Sequence, residues 1–124
     1  MSGVCKVGII NPKEVPKIIE VEDSRDILES LVGGLVDFLP LTDNLVIYYK
    51  EGAYDEITKS YNMDIFNKYP IYGTIVVTKC DTLDLENDWL VDLDEEDLKK
   101  ALQIINGREE DWQLNLEREA PNEH

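Results

Sequence analysis

The chain has 124 residues, 43% of them apolar, which suits one domain with one core. Its 12 basic and 27 acidic residues leave a net charge of −15, beyond the magnitude of about 2 to 8 usual for a small soluble domain, and that sign disfavours direct contact with nucleic acid or an anionic membrane. The only histidine is His124, so imidazole-based catalysis and histidine zinc sites are not expected, and no run approaches the roughly 18 apolar residues of a membrane span.

The N-terminus MSGVCKVGII lacks the basic region, long apolar run and small-residue cleavage site of a signal peptide, so a cytoplasmic location is expected. Val4 to Ile10 alternates loosely and is β-branched, which predicts a strand; Asn11-Pro12 and Pro16 mark a turn before a second strand over Lys17 to Val21. Asp23 or Ser24 is suited to cap a helix over residues 24 to 32, where Ile27, Leu28, Leu31 and Val32 recur at helical spacing before the Gly33-Gly34 stop. Leu35 to Leu41 and Asn44 to Lys50 predict paired strands joined through Thr42-Asp43-Asn44.

From Ala53 to Ser60 the pattern weakens, and Asn62 to Tyr69 suits one or two helical turns ended by Pro70, so the whole stretch is a candidate functional loop. Ile71 to Cys80 is almost continuously apolar, which predicts a central strand covered on both faces. An acidic connection leads to Trp89 to Leu93, after which Asp94 caps a helix from Glu95 to Asn106 that Gly107 ends. The expected fold class is α+β: a single domain over residues 1 to 107, with a mixed or antiparallel sheet of about five strands and two or three helices. Residues 108 to 124, with Trp112, Leu114 and Leu116 as their large apolar side chains, form an acidic tail or a docked segment.

The charge is uneven. Residues 1 to 79 carry 8 basic and 12 acidic side chains, net −4, and residues 80 to 124 carry 4 and 15, net −11. The candidate partner-binding residues are therefore Asp81, Asp84, Glu86, Asp88, Asp92, Glu95, Glu96 and Asp97, with Glu109, Glu110 and Asp111 as a second patch. Glu95, Glu96 and Asp97 also suit the positive end of a helix dipole. Tyr48, Tyr49, Tyr54, Tyr61, Tyr69 and Tyr72 form a mid-chain aromatic group, from which Tyr54 and Tyr61 are candidate interface anchors beside Glu51, Asp55, Glu56 and Asp64; alternation between core and surface explains part of it.

No cofactor, metal or reaction is indicated. Cys5 and Cys80 lie in separate apolar strands outside any CxxC or Cys/His cluster and are expected as reduced, buried thiols. Asp81, Asp84, Glu86 and Asp88 lack the glycine and the closing glutamate of an EF-hand loop, and Gly33-Gly34 lacks phosphate-loop spacing. Asp37 and Asp43 show no sign of converging as a glycosidase pair.

The order Leu31-Val32-Gly33-Gly34-Leu35-Val36, Thr42-Asp43-Asn44, Leu45 to Tyr49, Glu51-Gly52, Pro70 to Val77 and Leu93 to Asp97 resembles the small phage and mobile-element proteins catalogued as domain of unknown function 3846, over about residues 17 to 102. The resemblance implies a phage or mobile-element origin and supplies no catalytic residues. Members often carry a small, glycine-containing loop with an Asn after the Glu-Gly turn, where this chain has the bulkier Tyr54 to Phe66 segment and Asn62. The expectation is a non-enzymatic inhibitor of a bacterial defence system, anti-CRISPR or anti-restriction, in the cytoplasm of the infected bacterium. Its partner would be a basic host protein whose nucleic-acid-binding surface it fills with carboxylates. The alternatives are a host-adaptation protein whose acidity serves solubility, or a signalling-nucleotide sponge in which Lys50, Lys59, Lys68 and Lys79 gather in one pocket.

Overall fold

The computed structural model describes residues 4 to 22, 25 to 52, 60 to 80 and 90 to 112. The β-branched runs near the N-terminus form β1 (Val4–Ile10) and β2 (Lys17–Glu22), and the amphipathic stretch that follows forms α1 (Arg25–Val32). Next come β3 (Val36–Pro40), β4 (Leu45–Lys50), β5 (Tyr61–Ile65), β6 (Tyr69–Tyr72), β7 (Ile75–Cys80), β8 (Leu90–Val91) and α2 (Glu95–Ile105). The capping positions proposed for α1, Asp23 and Ser24, lie outside the described residues.

The described residues form a six-stranded antiparallel sheet in the order β2-β1-β7-β4-β3, with β8 also paired to β7. The strand expected at the centre is there. Because side chains alternate across a strand, Ile75 and Val77 enter one core with Leu45, Ile47, Tyr49, Leu98, Ala101 and Ile105. Val76 and Cys80 enter the other, with Cys5, Val7, Val46, Tyr48, Leu28 and Val32. The first core lies under α2 and the second under α1, so β7 is covered on both faces. Full burial of such side chains contributes about 1.5 to 3 kcal/mol each. Thr78, a buried polar group of β7, is satisfied by donating from Oγ1 to the Val46 carbonyl at 3.0 Å.

β1 pairs with β7 only from Gly8 to Ile10, and before Gly8 the strand β8 with its following residues fills the opening: Lys6 N–H donates to Asp92 Oδ1 at 2.9 Å and Leu93 N–H donates to Lys6 O at 3.0 Å. A Cβ at Gly8 would stand 2.8 Å from Leu98 Cδ1 and 3.3 Å from Val77 Cβ, so the missing side chain lets α2 lie close to the sheet. The β3–β4 turn follows the expected chemistry. Thr42 is buried, and its Oγ1 accepts the N–H groups of Asn44 and Leu45 at 3.1 and 3.0 Å while donating to Asn44 Oδ1.

Two expectations are corrected. Asn62 to Tyr69 is not helical: β5 and β6 pair as a separate antiparallel hairpin packed on the α2 core. Phe66 and Asn67 both take left-handed backbone, at φ 59° and 56°, which turns the chain back where a helix would have run on. The predicted strand over residues 71 to 80 is in fact two, since Gly73, at φ 94°, breaks it; β6 belongs to the hairpin and β7 to the main sheet. The expected count of about five strands thus becomes six, with two more in the hairpin.

Candidate functional site

α2 begins where its acidic first turn meets two backbone needs. Asp94 accepts the Asp97 N–H at 2.8 Å, and Asp97 Oδ2 accepts the Asp94 N–H at 3.1 Å, a reciprocal capping box. The Asp97 backbone N–H holds the Asp94 carboxyl below the usual carboxylate range; desolvation works against it, and the Asp97 side chain, Lys79 and the Glu96 N–H add to it. Asp97 also pairs with Lys79 of β7 at 3.2 Å, tying the helix start to the sheet. Asp92 is committed to the Lys6 N–H. Glu95 and Glu96 are exposed, and their carboxylates have no hydrogen-bond or ion-pair partner among the described residues.

The second acidic patch lies beyond the other end of α2, which at about 1.5 Å per residue is roughly 16 Å long, so the two patches are separate. The chain continues past Gly107 into helical residues 109 to 112, and the opening of the C-terminal segment is therefore docked. Glu109 accepts the Tyr69 hydroxyl at 3.2 and 3.3 Å and pairs with Lys68 at 3.3 Å. Hydrogen bonding with Tyr69, and then with Glu109, pushes the Lys68 ammonium up. Trp112 Nε1–H donates to Pro40 O at 3.1 Å, and its ring lies 5.0 Å from that of Phe66. Asp111 makes an exposed pair with Arg108 at 3.4 Å, and Glu110 is exposed. Two clefts flank Trp112: one of about 190 Å³ is walled by Leu39, Tyr49, Ile65, Phe66 and Tyr69, and a more polar one of about 370 Å³ is bounded by Lys100, Gln103 and Arg108.

The tyrosines do not make one surface. Tyr48 and Tyr49 are buried in opposite cores, and Tyr69 braces Glu109. Tyr61 is half exposed, stands edge-on to Tyr72 at 5.8 Å and donates to Asp64 at 2.9 Å, a bond that, ahead of desolvation and the Asp64 charge, pushes its phenol up. The proposed lysine pocket does not form among the described residues, because Lys68 and Lys79 are held by carboxylates at opposite ends of α2. Asp37 accepts the N–H of Phe38, and no three acidic, Cys or His side chains among the described residues converge as a metal site. Asp81, Asp84, Glu86, Asp88, Tyr54 and Lys59 lie outside the described residues.

Three structural contributors escaped the sequence reading. Asn62 Nδ2 donates to both Ile10 O and Gly73 O at 2.7 Å, clipping the hairpin to β1 and the β6–β7 corner. Phe66 N–H donates to Ile105 O at 2.7 Å and Asn67 Nδ2 to Asn106 O at 3.2 Å, so the hairpin turn closes the C-terminal end of α2. Asn67, tolerant of left-handed backbone, was the one available signal for that turn. No family model matches the chain, and neither a curated protein nor a solved structure matches it.

Proposed function

We propose that the protein is an acidic, non-catalytic binding protein of phage or mobile-element origin that inhibits a bacterial defence complex by occupying its basic, nucleic-acid-binding surface. One observation supports this above the others. Capping of α2 is complete with Asp94 and Asp97, yet the same turn also presents Glu95 and Glu96 to solvent, inside a segment of net −11. Asp92, Asp97 and Glu109 hold the fold together and Asp111 pairs with Arg108, so the candidate acids whose carboxylates have no partner among the described residues are Glu95, Glu96 and Glu110. Carboxylates at the start of α2 and beyond its other end compete for the same basic side chains that would otherwise take phosphates. The origin rests on the sequence resemblance alone.

The test is capture from host lysate at low and high salt, with duplex DNA as competitor. The expected catch is a nucleic-acid-binding protein, released by salt and by DNA, and lost to the triple variant Glu95→Gln, Glu96→Gln, Glu110→Gln, which keeps its fold. Capture by that variant at unchanged strength and without salt dependence would leave the acidity as a solubility device.

A further inference from the structure

The two outer edges of the main sheet are built differently. On β3, the Glu51 N–H donates to Leu35 O, so odd-numbered residues bond β4 and the even-numbered ones point outward. That outer edge is blocked from Phe38 to Pro40: Pro40 has no N–H, its carbonyl accepts Trp112 Nε1–H, and the Phe38 N–H is taken by Asp37. On the other side, the bonds of Lys6 to Asp92 and Leu93 show that even-numbered residues of β1 face β7, so Cys5, Val7 and Ile9 bond Val21, Ile19 and Lys17. The N–H and C=O groups of Ile18, Glu20 and Glu22 therefore point out of the sheet, and among the described residues nothing bonds them.

We infer that the β2 edge takes up an extended basic segment of a partner protein as an added strand. Six residues at about 3.3 Å each offer roughly 20 Å of edge. A residue opposite Glu20 and one opposite Glu22 would sit beside exposed carboxylates and those opposite the half-buried Ile19 and Val21 beside apolar side chains, while the aliphatic stem of a third basic residue would lie along Ile18. The complementary segment alternates lysine or arginine with apolar residues, its basic residues sharing the ladder bonds with Glu20 and Glu22. A second copy of the chain fits worse. Two-fold pairing through Glu20 sets that carboxylate against itself, and every register joins two chains of net −15. This goes beyond the acidic-helix reading, since it uses none of Glu95, Glu96 or Glu110.

The probe is an acetylated, amidated hexapeptide alternating lysine and valine, and the readout is amide hydrogen exchange by NMR. In the free protein the Ile18, Glu20 and Glu22 amides exchange fast; saturating peptide slows them at least tenfold. Glu20→Pro removes an outward N–H together with the carboxylate and weakens binding at least tenfold, whereas Glu20→Gln, which removes the charge alone, weakens it two- to threefold, and the difference between the two reports the ladder bond. The same peptide N-methylated at its lysine amides keeps its charge and gives no protection, an arm that decides the matter even if Glu20→Pro fails to fold. Equal binding by the N-methylated peptide, or no binding by the parent, overturns the inference. So does protection of the three amides in the peptide-free protein that rises with concentration together with a dimer.

Discussion

Phe66 holds a left-handed backbone that costs a side chain with a Cβ about 1 to 2 kcal/mol, and it keeps that conformation because the ring is buried against Trp112 while its N–H closes α2. Burial and backbone strain oppose each other here, and burial is the larger. Phe66→Ala is therefore expected to lose about 3 kcal/mol in urea unfolding. Phe66→Gly, free of the strain, should be about 1 kcal/mol better than the alanine variant. A glycine variant weaker than alanine would remove strain from the account. Asp94 allows a test by pH. Its folded-state carboxyl is held low, so its contribution is complete above the unfolded value of about 3.9 and fades as pH falls through the folded value. Asp94→Asn keeps a capping side chain without the titration, so the stability advantage of Asp94 seen at pH 7 should shrink progressively in melts as the pH is taken below about 3.9. An advantage unchanged by pH would mean that charge has no part in the cap.

Among the elements, those whose signal is local were legible in the chain. The β3–β4 hairpin follows from Thr42-Asp43-Asn44, α2 from Asp94 and its acidic first turn, and the buried position of β7 from an unbroken apolar run. The β5–β6 hairpin was not, because Asn62 to Tyr69 has neither strong alternation nor glycine at its turn, and its pairing depends on partners far along the chain. Asn62 bonds Ile10 O, 52 residues away, and Phe66 bonds Ile105 O. The candidate site divides the same way: its acids were visible, but only folding shows that Asp92, Asp97 and Glu109 are engaged by Lys6, Lys79, Tyr69 and Lys68. Asn62→Ala should leave two carbonyls without their donor and cost about 2 kcal/mol. Hydrogen exchange should then speed up in β5 and β6 before it does in β7. Uniform acceleration across all strands would show that the hairpin and sheet open together.

At the scale of the whole molecule, fifteen excess negative charges repel one another, and few of the described carboxylates are close to a cation. Salt screens that repulsion over about 10 Å at 0.1 M. The melting temperature should therefore rise between 20 and 300 mM sodium chloride; a fall would mean that the ion pairs of Lys68 and Lys79 outweigh the repulsion.

The place of β7 also orders events in time. β1 and β2 are neighbours along the chain, as are β3 and β4, so each pair is able to form as soon as it is made. β7 joins them, meeting β1 from 69 positions away at Gly8 and Val77 and β4 from 28 at Tyr48 and Val76. Loop closure over such separations is slow compared with hairpin formation. A nascent chain that has emerged only as far as Gly73 thus carries two unjoined half-sheets, each with an unpaired edge facing the gap. Six residues, Ile75 to Cys80, then close both edges at once, so the interval before they leave the ribosome is when the protein is most exposed to aggregation and proteolysis.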